Sequence, residues 1–306
     1  MLDKVVFFNF AHNGDAHVSR DFVKFAIKNV PAKKYFYIHF NVSGRLLLDI
    51  SDLDFISSNA YKEKSINLGM DGPVDFIGSA DSFLENNSLY INCWYIAFKF
   101  KHFNRCGGTT IETLYNSFKE SLELVNVKLI KDRVFYLPSI DFKYYETKKI
   151  DDFFKDKKEK FVFISDGDSL SGQSQNFSFQ QIIIDLANAN KDISFITTNS
   201  FIEGVENIYN VSNISGTNNN SNLNECAYVS TFCNVIVGRG SGPFTFSLHK
   251  QNLFDKRKKY IAFVNSSGSA TGDIPKLLAC RESASFIHSN IYDSGNVFNT
   301  INDNIK

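Results

Sequence analysis

Residues 235–248 place the tightest limit on the architecture of this chain. Three β-branched residues, Val235, Ile236 and Val237, precede three glycines in five positions, Gly238, Gly240 and Gly242, and then Pro243. The apolar run reads as a short buried strand. The glycines let the backbone turn and approach another group closely, and a proline suits the opening position of a helix. Strand, glycine loop and helix in that order build an open parallel sheet, so the chain is expected to be α/β. The helix opening would aim N–H groups and a positive dipole end into the loop, where Arg239 adds a charge. The expectation is a phosphate or diphosphate site at the carboxyl end of a strand, with the Arg239 guanidinium facing solvent. The competing reading is a plain strand-to-helix turn with a solvated arginine. A glycine-rich loop alone does not separate the two.

Composition removes several classes. At 306 residues the chain has room for two domains. Lys+Arg and Asp+Glu are equal at 33 each, which argues against a wide nucleic-acid footprint. Cys93, Cys106, Cys226, Cys233 and Cys280 are scattered, without a Cys-x-x-Cys pair or nearby His spacing. They read as reduced core cysteines of a cytoplasmic protein rather than disulfides or metal ligands. The amino terminus runs straight into a strand without a signal-peptide core, and no stretch has the length of a membrane span.

The first half opens with a strand at 4–10, a polar loop, a helix at 16–29 stopped by Pro31, and a strand at 35–40. Further strands are expected at 46–48, 74–77, 89–100 and 134–137, with a turn at 69–73 and a helix at 110–126 opened by Thr109 or Thr110. The lysine-rich stretch 143–160 reads as a linker. In the second half, strands are expected at 161–165, 193–197, 208–211 and 260–264. Ser178 and Gln181 have capping-box spacing and open a helix to about 190. Another capped helix runs from 222 to 232, and the last from 289 to 305. The division is therefore 1–142, an acceptor-side domain; 143–160, a linker; 161–288, a nucleotide-sugar-binding domain; and 289–306, a terminal helix.

Two Rossmann-like halves, each with a polar or glycine-rich loop after a strand, resemble the GT-B fold of nucleotide-sugar-dependent glycosyltransferases. The opening, with Gly14-Asp15 at the start of the first helix, resembles the lipopolysaccharide heptosyltransferases. That resemblance implies two Rossmann-like domains facing a central cleft, and it carries the role of catalytic base to Asp15. Where that family has Asp-(Ser/Thr)-Gly followed by His, this chain has Arg239-Gly240-Ser241-Gly242-Pro243. Many retaining GT-B enzymes carry paired glutamates beside this loop. Residues 238–252 contain none, so inversion is expected.

Inverting transfer needs a base for the acceptor hydroxyl and a stabiliser for the departing phosphate. Asp15 is the first candidate base; its other reading is a helix N-terminal carboxylate that complements the dipole. His12 and His17 flank it as alternative bases, acceptor ligands or structural groups. Asn13, Gly14 and Arg20 are expected on the acceptor side, Arg20 either meeting a substrate anion or pairing with an acid. On the donor side the candidates are Gly238, Arg239, Gly240, Ser241, Gly242, Pro243, Phe244 and Thr245, with Asp168, Ser169 and Thr198 on neighbouring strand ends. A leaving diphosphate held by Arg239 and by the N–H groups of 241–245 calls for no metal and no cofactor beyond the donor substrate. Tyr90, Trp94, Tyr95 and Phe98 read as sugar-stacking or core aromatics.

The expected activity is transfer of a sugar from a nucleotide-sugar to a glycan or lipopolysaccharide-type acceptor, in the cytoplasm and at the inner membrane surface. The alternatives are a sugar-nucleotide epimerase of the same fold and a non-catalytic nucleotide- or sugar-binding module.

Overall fold

The computed structural model describes residues 1–9, 12–39, 46–57, 82–93, 111–169, 174–217, 222–264 and 270–306. The chain divides into two compact units, Met1–Pro138 and Ser139–Lys306.

Unit 1 contains strands β1 (Lys4–Asn9), β2 (Tyr35–His39), β3 (Leu53–Ser57), β4 (Phe83–Glu85) and β5 (Ser88–Asn92), with helices α1 (Asn13–Asn29) and α2 (Ile111–Glu123). The sheet order is β3-β2-β1-β5-β4. All pairings are parallel except β4 with β5, a hairpin closed by Asn86 and Asn87 at φ 46° and 58°. Asparagine tolerates this left-handed backbone, which two-residue hairpin turns require.

The unbroken apolar run of β1 is explained by burial on both faces. On one face Phe7 stacks on Tyr37 of β2 and on Phe118 of α2, and Phe22 of α1 lies flat on Tyr136 with ring centroids 4.4 Å apart. On the other, Val6 and Phe8 pack with Ile38 and Tyr90.

Unit 2 contains α3 (Lys148–Phe154), β6 (Lys160–Ser165), α4 (Gln180–Ala189), β7 (Ile193–Thr197), β8 (Ile208–Asn210), α5 (Val211–Ser215), α6 (Leu223–Thr231) and β9 (Val235–Arg239). It continues with α7 (Gly242–Ser247), α8 (Lys250–Leu253), β10 (Lys259–Phe263), α9 (Ala270–Leu278), β11 (Ser285–Ser289) and α10 (Ser294–Ile305). Its sheet is fully parallel in the order β11-β10-β9-β6-β7-β8. Counted within the unit this is the 3-2-1-4-5-6 order of the doubly wound dinucleotide-binding sheet. Ile182, Ile183 and Leu186 of α4 and Val297, Ile301 and Ile305 of α10 cover one face, meeting Val162, Ile164, Phe195, Val237 and Phe263. On the other face Phe244 of α7 meets Tyr260 edge-on.

Several expectations are corrected. Residues 46–49 form a turn, not a strand; Leu46 and Leu47 are buried, and the Leu46 carbonyl accepts a bond from Arg20. The segment at 134–137 is a 3-10 turn over Arg133–Tyr136, because the Asp132 carboxylate caps the Val134 N–H and Tyr136 is drawn under Phe22. Gln181 does not reach back to complete a capping box; its amide bonds forward to Asp185, although Ser178 does accept from the Gln180 N–H. The 143–160 stretch is folded into unit 2 through α3, whose Phe154 stacks on Phe232 4.2 Å away. The last helix begins at Ser294, and β3, β4, α9 and β11 were not foreseen. The expected elements at 69–73 and 74–77, and Trp94, Tyr95, Phe98, Cys106, Thr109 and Thr110, lie outside the described residues. Among the described residues no helix is long and apolar enough to cross a membrane.

Candidate functional site

In a doubly wound sheet the crevice forms where strand order reverses, beyond the carboxyl ends of the two strands that part there. In unit 2 those strands are β6 and β9. Ser165 ends β6 and Ser241 follows β9, and their hydroxyls meet at 2.7 Å across the reversal. Gly238 permits this closeness: a Cβ there would sit 2.8 Å from Phe244 Cδ2 and 2.8 Å from Ser165 Cβ. Its role is packing of β9 on β6 and α7.

Asp166 organises the loop after β6. Its carboxylate accepts from Thr198 N and Thr198 Oγ1 at 2.9 Å each, from Asn199 N at 2.8 Å and from Ser200 N at 2.6 Å. These bonds fasten the loop after β7 to the loop after β6. Thr198, expected on the donor side, spends its hydroxyl on Asp166.

Arg239 departs most from expectation. It is 1% exposed and does not face solvent. Its Nε donates to Gly167 O at 3.1 Å, one terminal nitrogen to Phe177 O at 2.7 Å and the other to Asp166 O at 2.5 Å. Asp168 lies 3.3 Å away as counter-ion. The guanidinium lies against the rings of Phe177 and Phe179, 5.1 and 5.2 Å from their centroids, and the two rings themselves meet at 4.6 Å. Burial lowers its pKa, and Asp168 and Asp166 oppose that shift. Arg239 therefore knits three segments together, because a buried cation persists only where its donors and charge are answered.

Asp168 is the exposed member of this group, with two thirds of its side chain open to solvent. Ser169 is nearly buried, with its backbone clasped by the Asn176 amide. Its hydroxyl makes no hydrogen bond among the described residues. Asp166, Asp168, Asn176, Ser178, Ser200 and Arg239 line an open polar cleft of about 430 Å³, with Phe177, Phe179 and Gln180 completing its wall.

The glycine loop delivers α7 as expected, with Ser241 as extended N-cap and Pro243 in the first turn. Fewer N–H groups point outward than the sequence suggested. Ser241 N donates to Arg239 O, Thr245 N donates to Ser241 O, and Pro243 has no N–H. Gly242 and Phe244 retain theirs at the helix opening, Gly240, Gly242, Pro243 and Thr245 are half-buried, and the Phe244 ring is in the core.

In unit 1, β1 and β5 are the strands that part. His12 caps α1, and its backbone N–H donates to Asp15 Oδ2 at 3.1 Å. His12 is exposed, while Asn13, Gly14 and Asp15 are half-buried. The Asn13 Oδ1 is buried and has no hydrogen-bond partner among the described residues. One expectation is corrected here and one open alternative is decided. His17 is fully buried, which removes it from contact with an acceptor. Arg20 is fully buried too: one terminal nitrogen pairs with Asp49 Oδ1, which faces no solvent, and the other donates to Leu46 O at 2.6 Å. Lys24 holds the second Asp49 oxygen at 2.8 Å.

Beneath α1 runs a buried polar chain that sequence reasoning missed. Asn9 Nδ2 donates to the Tyr37 hydroxyl at 3.4 Å, Tyr37 to Ser19 Oγ at 3.0 Å, and Ser19 to Ala16 O at 2.9 Å. This direction uses each hydrogen once. Burial raises the Tyr37 pKa well above its ordinary value, so the phenol stays a donor. No local signal announces the chain, because Tyr37 is 18 and 28 residues from its partners. Tyr90, read as sugar-stacking or core, is core: it is 2% exposed and stacks on Phe83.

No family model matches the chain, and no curated protein matches it in sequence. Among solved structures it is similar to the family 9 glycosyl transferase from Veillonella parvula DSM 2008. The TM-score is 0.53 at 12% identity, with 99% of this chain and 92% of that one covered. It is also similar to the E. coli ADP-heptose LPS heptosyltransferase II, with TM-score 0.54, 10% identity and 98% of each chain covered. At such identities the likeness is one of fold, and with the two parallel sheets described above it gives the chain the GT-B fold of two Rossmann-like units.

Proposed function

We propose that the protein transfers a sugar from a nucleotide-sugar to a hydroxyl of a glycan or glycolipid acceptor, with inversion and without a metal. One observation carries this reading: within a GT-B fold, the strand reversal of unit 2 opens into a polar cleft backed by Arg239 and edged by the exposed carboxylate of Asp168. In the proposal the Gly242 and Phe244 N–H groups receive the leaving phosphate, where an anion meets orphan donors. Asp168 accepts donor hydroxyls, and Arg239 holds the cleft wall rather than the phosphate. On unit 1 Asp15 is the base, with exposed His12 and half-buried Asn13 beside it for the acceptor. The acceptor is placed at the cytoplasmic membrane surface.

The test is a thermal-shift panel of UDP, GDP, ADP, CMP and TDP against the wild type and Thr245→Glu. A ligand at a hundred times its Kd stabilises by about 2.7 kcal/mol. One nucleotide should raise the wild-type melting temperature. Thr245→Glu puts a carboxylate in the half-buried first turn of α7 and should abolish that rise. A panel without any shift would remove the donor reading.

A further inference from the structure

We propose that unit 2 carries a second ligand site, for a single pyranose ring of a glycan, at the β8 edge of its sheet. β8 is the edge strand. Along β8 and the segment after β7 lies a pocket of about 260 Å³ whose lining includes Phe153, Ser200, Phe201, Ile202, Glu203, Tyr209 and Asn213. Its volume falls below the roughly 300–1,000 Å³ of sites for drug-sized molecules, so its occupant is the size of one ring.

Three features select the chemistry. First, Phe201 is 63% exposed at the rim, and an aromatic ring left open beside a pocket offers an apolar platform to a ligand with an apolar face. Second, the Tyr209 hydroxyl, the Glu203 carboxylate and the Asn213 amide take no part in the protein's own hydrogen bonds among the described residues, although Asn210 beside them is fully engaged with Thr197, Ser200 and Ser212. A donor–acceptor hydroxyl, an acceptor and an amide next to aromatic faces match a ring that carries hydroxyls on its edge and C–H groups on its faces. Third, Phe153 and Tyr209 meet edge-to-face, 5.0 Å apart at 74°. That arrangement makes a corner rather than the parallel slot a flat nucleobase fills. Lys157, with Nζ 4.7 Å from the Phe153 centroid and 5.0 Å from that of Tyr209, fixes both rings.

The second site shares Ser200 with the donor cleft, but Phe153, Phe201, Ile202, Glu203, Tyr209 and Asn213 lie outside that cleft, so its occupancy is read apart from the donor reading. Saturation-transfer NMR on the full chain, with methyl glucoside, galactoside and mannoside and with N-acetylglucosamine as probes, tests it. At least one probe should receive saturation, strongest on its ring C–H protons. Phe201→Ala should abolish the effect. Glu203→Gln and Tyr209→Phe should each weaken binding about fivefold, the effect of one lost hydrogen bond. All three variants should keep the wild-type melting temperature and any nucleotide-induced shift, which reads the donor cleft separately. No saturation of any pyranoside, saturation that survives Phe201→Ala, or displacement by free uridine or adenosine would overturn the proposal.

Discussion

Arg239 illustrates how a side chain's role depends on what surrounds it. Next to three glycines it reads as an anion ligand, yet its donors go to the carbonyls of Asp166, Gly167 and Phe177 and its charge to Asp168. Removing it strands those carbonyls and leaves a void beside the paired rings of Phe177 and Phe179. Arg239→Ala should therefore cost about 3 kcal/mol or more in urea unfolding, with weakened nucleotide binding as a consequence. A variant as stable as the wild type would return Arg239 to the role of phosphate ligand. Arg20 follows the same pattern: of the two fates open to it in the sequence, the structure chooses the acid partner, Asp49. In neither case does the sequence show the outcome, because the partners lie 29 residues away for Arg20 and as far as 73 for Arg239.

Among the elements, the short buried strands and the strand–glycine–helix unit were legible because their patterns are local. β1, β2, β6, β7, β9 and β10 stand where apolar runs of three to seven residues predicted them. Gly238 is legible only as a glycine; the atoms it must admit come from β6 and α7. Gly238→Ala forces a methyl within 2.8 Å of the Ser165 and Phe244 side chains, and overpacking of this kind costs about 1–3 kcal/mol, to be read from the melting temperature. Helix boundaries were less legible. The expected start of the last helix at 289 belongs to β11, and the helix begins only where Asp293 caps the Asn296 N–H at 2.9 Å. Asp293→Ala should lower stability by about 1 kcal/mol in the same unfolding assay. β11 was missed because Ser285, Phe286, Ile287, His288 and Ser289 form an edge strand of mixed polarity, only partly buried and without a strong apolar signal.

For the whole molecule, the proposed reaction puts donor and acceptor chemistry on different units, the polar cleft on Ser139–Lys306 and Asp15 on Met1–Pro138. Asp15→Asn should accordingly keep the nucleotide-induced thermal shift and lose turnover of the nucleotide-sugar with acceptor. Turnover undiminished in this variant would transfer the role of base to exposed His12, since buried His17 is out of reach. By itself the sequence determined the α/β class, the presence of two βα halves and the position of the glycine loop, because strand length and glycine spacing are set by neighbours along the chain. The tertiary structure alone decided the strand order, and with it where the cleft opens. It also decided which polar side chains are enclosed and which reach the surface: Arg239, Thr198, Arg20 and His17 are taken up by the fold, while Asp168 and His12 are exposed and Asp15 is half-buried at the strand ends. Burial and hydrogen-bond partnership are settled by segments that meet in space, and a residue's identity does not state who will meet it.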